Sequence, residues 1–79
     1  MFDLKKIEDY KIAIDDKFIL SKEIYKDYTY LKIEMEKTFD NSYILRIYDN
    51  ETLFKRIEET LWETFRKKVS DYFSKGVNL

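Results

Sequence analysis

The sequence predicts an α+β fold, a four-stranded antiparallel β-meander packed on one long C-terminal α-helix. Three observations predict it. Apolar and polar residues alternate through the middle of the chain, apolar residues recur at helical spacing through the last third, and turn-forming residues separate the alternating runs.

Composition bounds the rest. A chain of 79 residues reads as one compact α+β domain spanning 1–79. At 44% hydrophobic and 18% aromatic residues it is too apolar for a disordered chain. Fifteen Lys and Arg oppose sixteen Asp and Glu, so the molecule is neither a polycation nor an acidic tail. No His and no Cys are present, which excludes thiol catalysis, Cys/His zinc sites, iron–sulfur ligation and disulfides. The single glycine, Gly76, excludes a glycine-rich phosphate loop. No cofactor is expected. No apolar run approaches the roughly 18 residues of a membrane span, and residues 1–20 lack the apolar core of a signal peptide. The expected location is therefore cytoplasmic (host cytoplasm if the chain is phage-encoded), with no membrane partner.

Taken in order, residues 2–9 suit either a short helix through Phe2, Ile7 and Tyr10 or a frayed strand. A strand near 10–14 follows, joined by the loop Asp15-Asp16-Lys17 to a strand at 18–25, so that Ile14 faces Phe18 and Ile12 faces Leu20. A two-residue turn at Lys26-Asp27 leads to the strand 28–38 and sets Phe18 against Met35, Leu20 against Ile33 and Ile24 against Thr29. A three-residue loop, Asp40-Asn41-Ser42, leads to the strand 43–48 and pairs Met35 with Ile47, Phe39 with Tyr43 and Glu36 with Arg46. A two-residue loop would set Met35 against Arg46 and spoil both faces. The helix is expected over 51–75, from the stripe Phe54, Ile57, Leu61, Phe65, Val69 and Tyr72, with Asn50 as N-cap and Gly76 as the left-handed residue beyond its end. Such a helix is about 37 Å long, enough to overhang near Tyr72 and Phe73.

One helix covers one face of the sheet. The expected inner face is Ile12, Ile14, Phe18, Leu20, Ile24, Leu31, Ile33, Met35, Leu45 and Ile47, with Leu31 and Ile33 meeting Leu61 and Phe65 of the helix. The opposite face carries Ile19, Tyr25, Tyr28, Tyr30, Lys32, Glu34, Ile44, Arg46 and Tyr48. Tyrosine and arginine are enriched at interface centres, so Tyr25, Tyr28, Tyr30, Lys32, Ile44, Arg46 and Tyr48 are the candidate partner-binding residues. Other groups read as structural. Asp15 and Asp16, with Asp3 and Asp9 nearby, lack a calcium-loop pattern and suit a solvated turn. Glu58 falls inside the helix stripe and suits an ion pair with Lys22, and Arg66-Lys67-Lys68 suits a solvated helix face. No catalytic or metal-ligating set emerges, and no enzyme is expected.

No stretch carries a family motif. As a type, a short, Cys-free, nearly Gly-free chain rich in Lys, Tyr and Ile resembles the accessory proteins of phages and mobile elements in AT-rich bacteria. The resemblance implies a stoichiometric inhibitor of a larger host-defence protein, of the anti-CRISPR type, bound through the aromatic face without turnover. The alternative is a structural homodimer or assembly subunit that uses the same face. A single-stranded nucleic-acid binder ranks last, because Glu23, Glu34 and Glu36 share that face and phosphate neutralisation needs net positive charge.

Overall fold

The computed structural model describes residues 3–74, the Lys26 side chain excepted. A 3₁₀ turn, Leu4–Lys6, leads into helix α1, Ile7–Asp15. Strands β1 (Leu20–Lys26), β2 (Thr29–Lys37), β3 (Tyr43–Asp49) and β4 (Thr52–Glu59) follow, then helix α2, Trp62–Ser74. The strands form one antiparallel sheet in the order β1-β2-β3-β4. The α+β class and the four-stranded meander with a C-terminal helix stand. Both helices pack on one face, α1 against β1 and β2, α2 against β3 and β4. Ile7 and Ile14 of α1 and Trp62, Phe65 and Val69 of α2 join Ile33, Met35, Tyr43, Leu45, Ile47 and Ile57 of the sheet in one core. Tyr43, Trp62 and Phe65 meet ring to ring at its centre, with centroids 5.1–5.8 Å apart.

Two elements differ from the sequence expectation. Residues 10–14 are helical, not a strand. Ile7 and Ile14 lie two turns apart on one helix face and both are buried, and this period outweighs the local alternation of Ile12 with Ile14. The connection that looked like hairpin chemistry is a helix C-cap. Phe18 N–H donates to the Ala13 carbonyl and Lys17 N–H to the Ile14 carbonyl, with Lys17 left-handed at φ 69°. Ile12 and Phe18, expected inside, are consequently exposed.

The second difference is β4, which replaces the first half of the expected helix over 51–75. Asn50 and Glu51 take φ 48° and 74°, a type I′ turn that sends the chain straight back along β3. Asparagine suits an N-cap and a left-handed turn equally well. Here pairing with the otherwise open edge of β3 prevails over local helical spacing. Only Ile57, Phe65 and Val69 of the expected stripe are buried, Tyr72 is half-buried, and Phe54 and Leu61 are 59% and 68% exposed. Helix α2 is about 20 Å long, and Tyr72 and Phe73 pack on the core instead of overhanging. Phe2, Lys75 and Gly76, to which the sequence assigns roles, lie outside the described residues.

Both expected registers shift by two residues and keep their parity. Leu20 faces Met35 and Ile24 faces Leu31, because Asp27-Tyr28, not Lys26-Asp27, forms the two-residue type I′ turn. Met35 faces Leu45, Ile33 faces Ile47 and Arg46 faces Glu34, because the three-residue loop is Phe39-Asp40-Asn41, one residue earlier than expected. Asn41 supplies its left-handed position at φ 59°, and Thr38 and Ser42 close it by backbone and hydroxyl bonds. Phe39 is therefore exposed at the loop tip and does not face Tyr43. A two-residue shift returns every strand side chain to its expected face.

Candidate functional site

With both helices on one side, no described element covers the other side of the sheet. Alternation from the buried positions assigns to it Glu23 and Tyr25 of β1, Tyr30, Lys32, Glu34 and Glu36 of β2, Ile44, Arg46 and Tyr48 of β3, and Arg56 and Glu58 of β4. Of the residues singled out in the sequence, six share this face. Tyr28, the seventh, stands in the β1–β2 turn at the same end of the sheet, fully exposed. Ile44 faces outward yet is only 3% exposed, so it supports its neighbours and offers no contact area.

The tyrosines gather toward that end. Tyr25 and Tyr30 are cross-strand neighbours whose rings stack with centroids 4.7 Å apart at 26°. Tyr30 is tied down by its backbone, since its N–H donates to Asn50 Oδ1 at 3.1 Å while its carbonyl accepts from Asn50 N–H at 2.8 Å. Its hydroxyl donates to the Glu23 carboxylate, which pushes the phenol up to about 12. Lys32 faces Tyr48 across the β2–β3 pair. Tyr30, Lys32, Glu34, Tyr48 and Glu51 line a shallow depression of about 290 Å³.

A chain of charges runs from this depression along the face. Lys32 Nζ lies 3.9 Å from Glu34 Oε2, Arg46 Nε lies 3.8 Å from Glu34 Oε1, and Arg46 Nη2 donates to Glu36 Oε2 at 2.8 Å. Arg46 Nε is buried and makes no hydrogen bond. The expected Glu36–Arg46 contact thus forms diagonally, with Glu34 directly opposite Arg46. Glu58 pairs with Arg56 at 2.7 Å on the outer side, while Lys22 lies opposite Ile33 on the inner side, so the expected Glu58–Lys22 ion pair does not form.

Sequence reading missed two features. Asp15, read as a solvated turn residue, accepts from Lys11 at 2.7 Å, Tyr43 at 2.9 Å and Lys37 at 3.4 Å, which fastens the end of α1 to β2 and β3. The Lys11 hydrogen bond first, with those from Tyr43 and Lys37, holds its carboxyl below the usual range. The i,i+4 spacing of Lys11 and Asp15 is a signal for this once α1 is a helix. Phe18, Ile19 and Phe39 line an open groove of about 410 Å³ with Lys17, Glu36, Lys37 and Thr38, where the α1–β1 and β2–β3 connections approach. Its aromatic residues come from two loops and share no sequence period. Among the described residues no three acidic side chains gather as a metal-binding group, and no helix is long and apolar enough to cross a membrane. No protein-family model matches the chain, and neither do any curated protein or solved structure.

Proposed function

We propose that this chain is a protein-binding module that works by stoichiometric occlusion of a larger protein and performs no chemistry of its own. Its contact surface is the tyrosine end of the open sheet face, with Tyr25, Tyr28, Tyr30, Lys32 and Tyr48 as anchors and Arg46 steadied beneath them. The anti-CRISPR type of inhibitor is the most specific form of this reading, and it rests on the resemblance in composition alone.

Tyr28 is the observation that carries the reading. It occupies the second position of a type I′ turn at φ 66°, where glycine is strongly preferred and a bulky side chain costs about 1 kcal/mol or more. Its ring gains nothing from the fold in return, being fully exposed. A strained, solvated aromatic beside a stacked tyrosine pair suits a surface that is covered in use. The charges favour a protein over a nucleic acid. Lys32 and Arg46 already lie against Glu34 and Glu36, and Glu23 and Glu51 flank the tyrosines, so phosphates would meet carboxylates at every approach.

The test is site-specific photocross-linking in cells that carry the gene. A photoreactive phenylalanine at position 28 or 48 is expected to trap one protein in a one-to-one adduct, while the same group at Ile12, exposed on α1, traps none. Tyr30→Ser with Tyr48→Ser is expected to keep the folded circular dichroism spectrum at the assay temperature, with a lowered melting point, and to lose the adduct. Equal labelling from all three positions would overturn the reading.

A further inference from the structure

We infer that the chain forms a twofold homodimer in which β4 pairs antiparallel with β4 of a second copy, joining two four-stranded sheets into one. The surface is distinct from the tyrosine end of the sheet, which lies at the β1–β2 turn.

The first observation is the free edge. Among the described residues β4 has β3 on one side and no strand on the other. Its backbone orientation follows from one bond. Asn50 N–H donates to the Tyr30 carbonyl of β2, so in β3 the even-numbered residues turn their backbone groups toward β2 and the odd-numbered ones toward β4. Tyr43, Leu45 and Ile47 therefore engage Glu59, Ile57 and Lys55. Arg56 and Glu58, between those positions, direct N–H and C=O outward along the open edge, where a further strand could accept them.

The second observation is what occupies that edge. Lys55-Arg56-Ile57-Glu58-Glu59 is antisymmetric in charge about Ile57. A second copy laid antiparallel with Ile57 against Ile57 sets Arg56 opposite Glu58 and Lys55 opposite Glu59, each twice by symmetry. Arg56 already holds Glu58 of its own chain at 2.7 Å on the outer side. In the dimer the two such pairs close into a square of alternating sign. Centring the pair on Arg56 or on Glu58 instead brings like charges face to face, so the sequence selects one register. Edge strands that avoid association commonly use charge of one sign, above all lysine, which repels a second copy. This edge is complementary to itself.

The third observation is apolar surface at both ends of the charged stretch. Leu53, Phe54 and Leu61 are 50%, 59% and 68% exposed, and the same register brings Leu53 of one copy toward Leu61 of the other. Phe54 is the extra residue of a bulge between Lys55, which faces Ile47, and Leu53, which faces Tyr48. The bulge ends regular pairing there and limits the shared ladder to the charged segment.

Sedimentation equilibrium of the full chain from micromolar to millimolar concentration tests this, with circular dichroism confirming the fold of each variant. The parent is expected to be dimeric at the upper end. Arg56→Glu places like charges across both outer pairs and is expected to weaken the dimer roughly tenfold or more. Adding Glu58→Arg to it restores an antisymmetric edge and is expected to restore the dimer. Glu58→Pro removes an N–H that faces away from β3, and is expected to leave the monomer folded and abolish the dimer. A parent that stays monomeric throughout overturns the inference. So does an Arg56→Glu variant that associates as the parent does, or a folded double charge exchange that stays monomeric.

Discussion

Left-handed backbone falls on non-glycine side chains throughout the described residues. Six of them adopt positive φ: Lys17, Asp27, Tyr28, Asn41, Asn50 and Glu51. Asn and Asp tolerate this region because their short side chains bond locally, but Lys17, Tyr28 and Glu51 do not share that advantage. Lys17 occupies the position beyond α1 where glycine is usual, with both cap hydrogen bonds formed and its side chain exposed. Lys17→Gly should therefore raise stability by about 0.5–1 kcal/mol, read as a higher urea midpoint at unchanged slope. A second prediction concerns Tyr30. Its neutral phenol is favoured by the hydrogen bond to Glu23, so this contribution is complete below the ordinary value of 10 and fades as the pH rises toward about 12. Glu23→Gln should move the Tyr30 ring resonance in an NMR titration to ionise at lower pH, leaving the Tyr72 ring, raised by burial, where it was.

Elements separate what the sequence disclosed from what it hid. The alternation of Leu31, Ile33 and Met35 with Lys32, Glu34 and Glu36 fixed faces correctly, since parity survives any two-residue error in a loop. The start of β4 was not legible, because Phe54, Ile57 and Leu61 fall at helical spacing by coincidence and Asn50 suits either a cap or a turn. What decides between them is the open edge of β3, a nonlocal fact. The two readings differ in a measurable way. Leu61→Ala, central to a helix over 51–75, should change stability by less than about 0.5 kcal/mol, whereas Phe65→Ala should cost about 3–5 kcal/mol. Helix α1 was equally hard to see, and its anchor is Asp15. Since the folded carboxyl lies below its ordinary value of 3.8, the stabilisation is present above that pH and is lost as the pH falls through the folded value. Asp15→Asn should be less stable than the parent at pH 7, with the gap closing under acid denaturation below about pH 4.

At the scale of the whole molecule, two short helices do what the sequence assigned to one long helix, and the outcome for the sheet is the same. α1 covers β1 and β2, α2 covers β3 and β4, and neither reaches the other face of the sheet. The core takes most of the buried apolar side chains on one side, and four of the seven tyrosines, Tyr25, Tyr28, Tyr30 and Tyr48, stand on or beside the other, where the proposed partner would meet them. If that is their role, binding and stability should oppose each other at Tyr28, where the backbone is left-handed and the ring touches solvent alone. Glycine at this position relieves the strain and completes an Asp-Gly type I′ turn after Asp27, the pairing that such hairpins prefer. Tyr28→Gly should therefore melt above the parent by about 4–8 °C, as a gain near 1 kcal/mol implies for a domain of this size. The same variant should bind the partner trapped at position 48 more weakly. Its self-association should be unchanged, because the β4 edge lies across the sheet from the turn. Calorimetry, partner titration and sedimentation on this single variant read the three quantities apart. A Tyr28→Gly protein that is more stable and binds its partner as tightly as before would show that the exposed ring has no part in recognition, and would move the contact surface toward Tyr48 and Lys32.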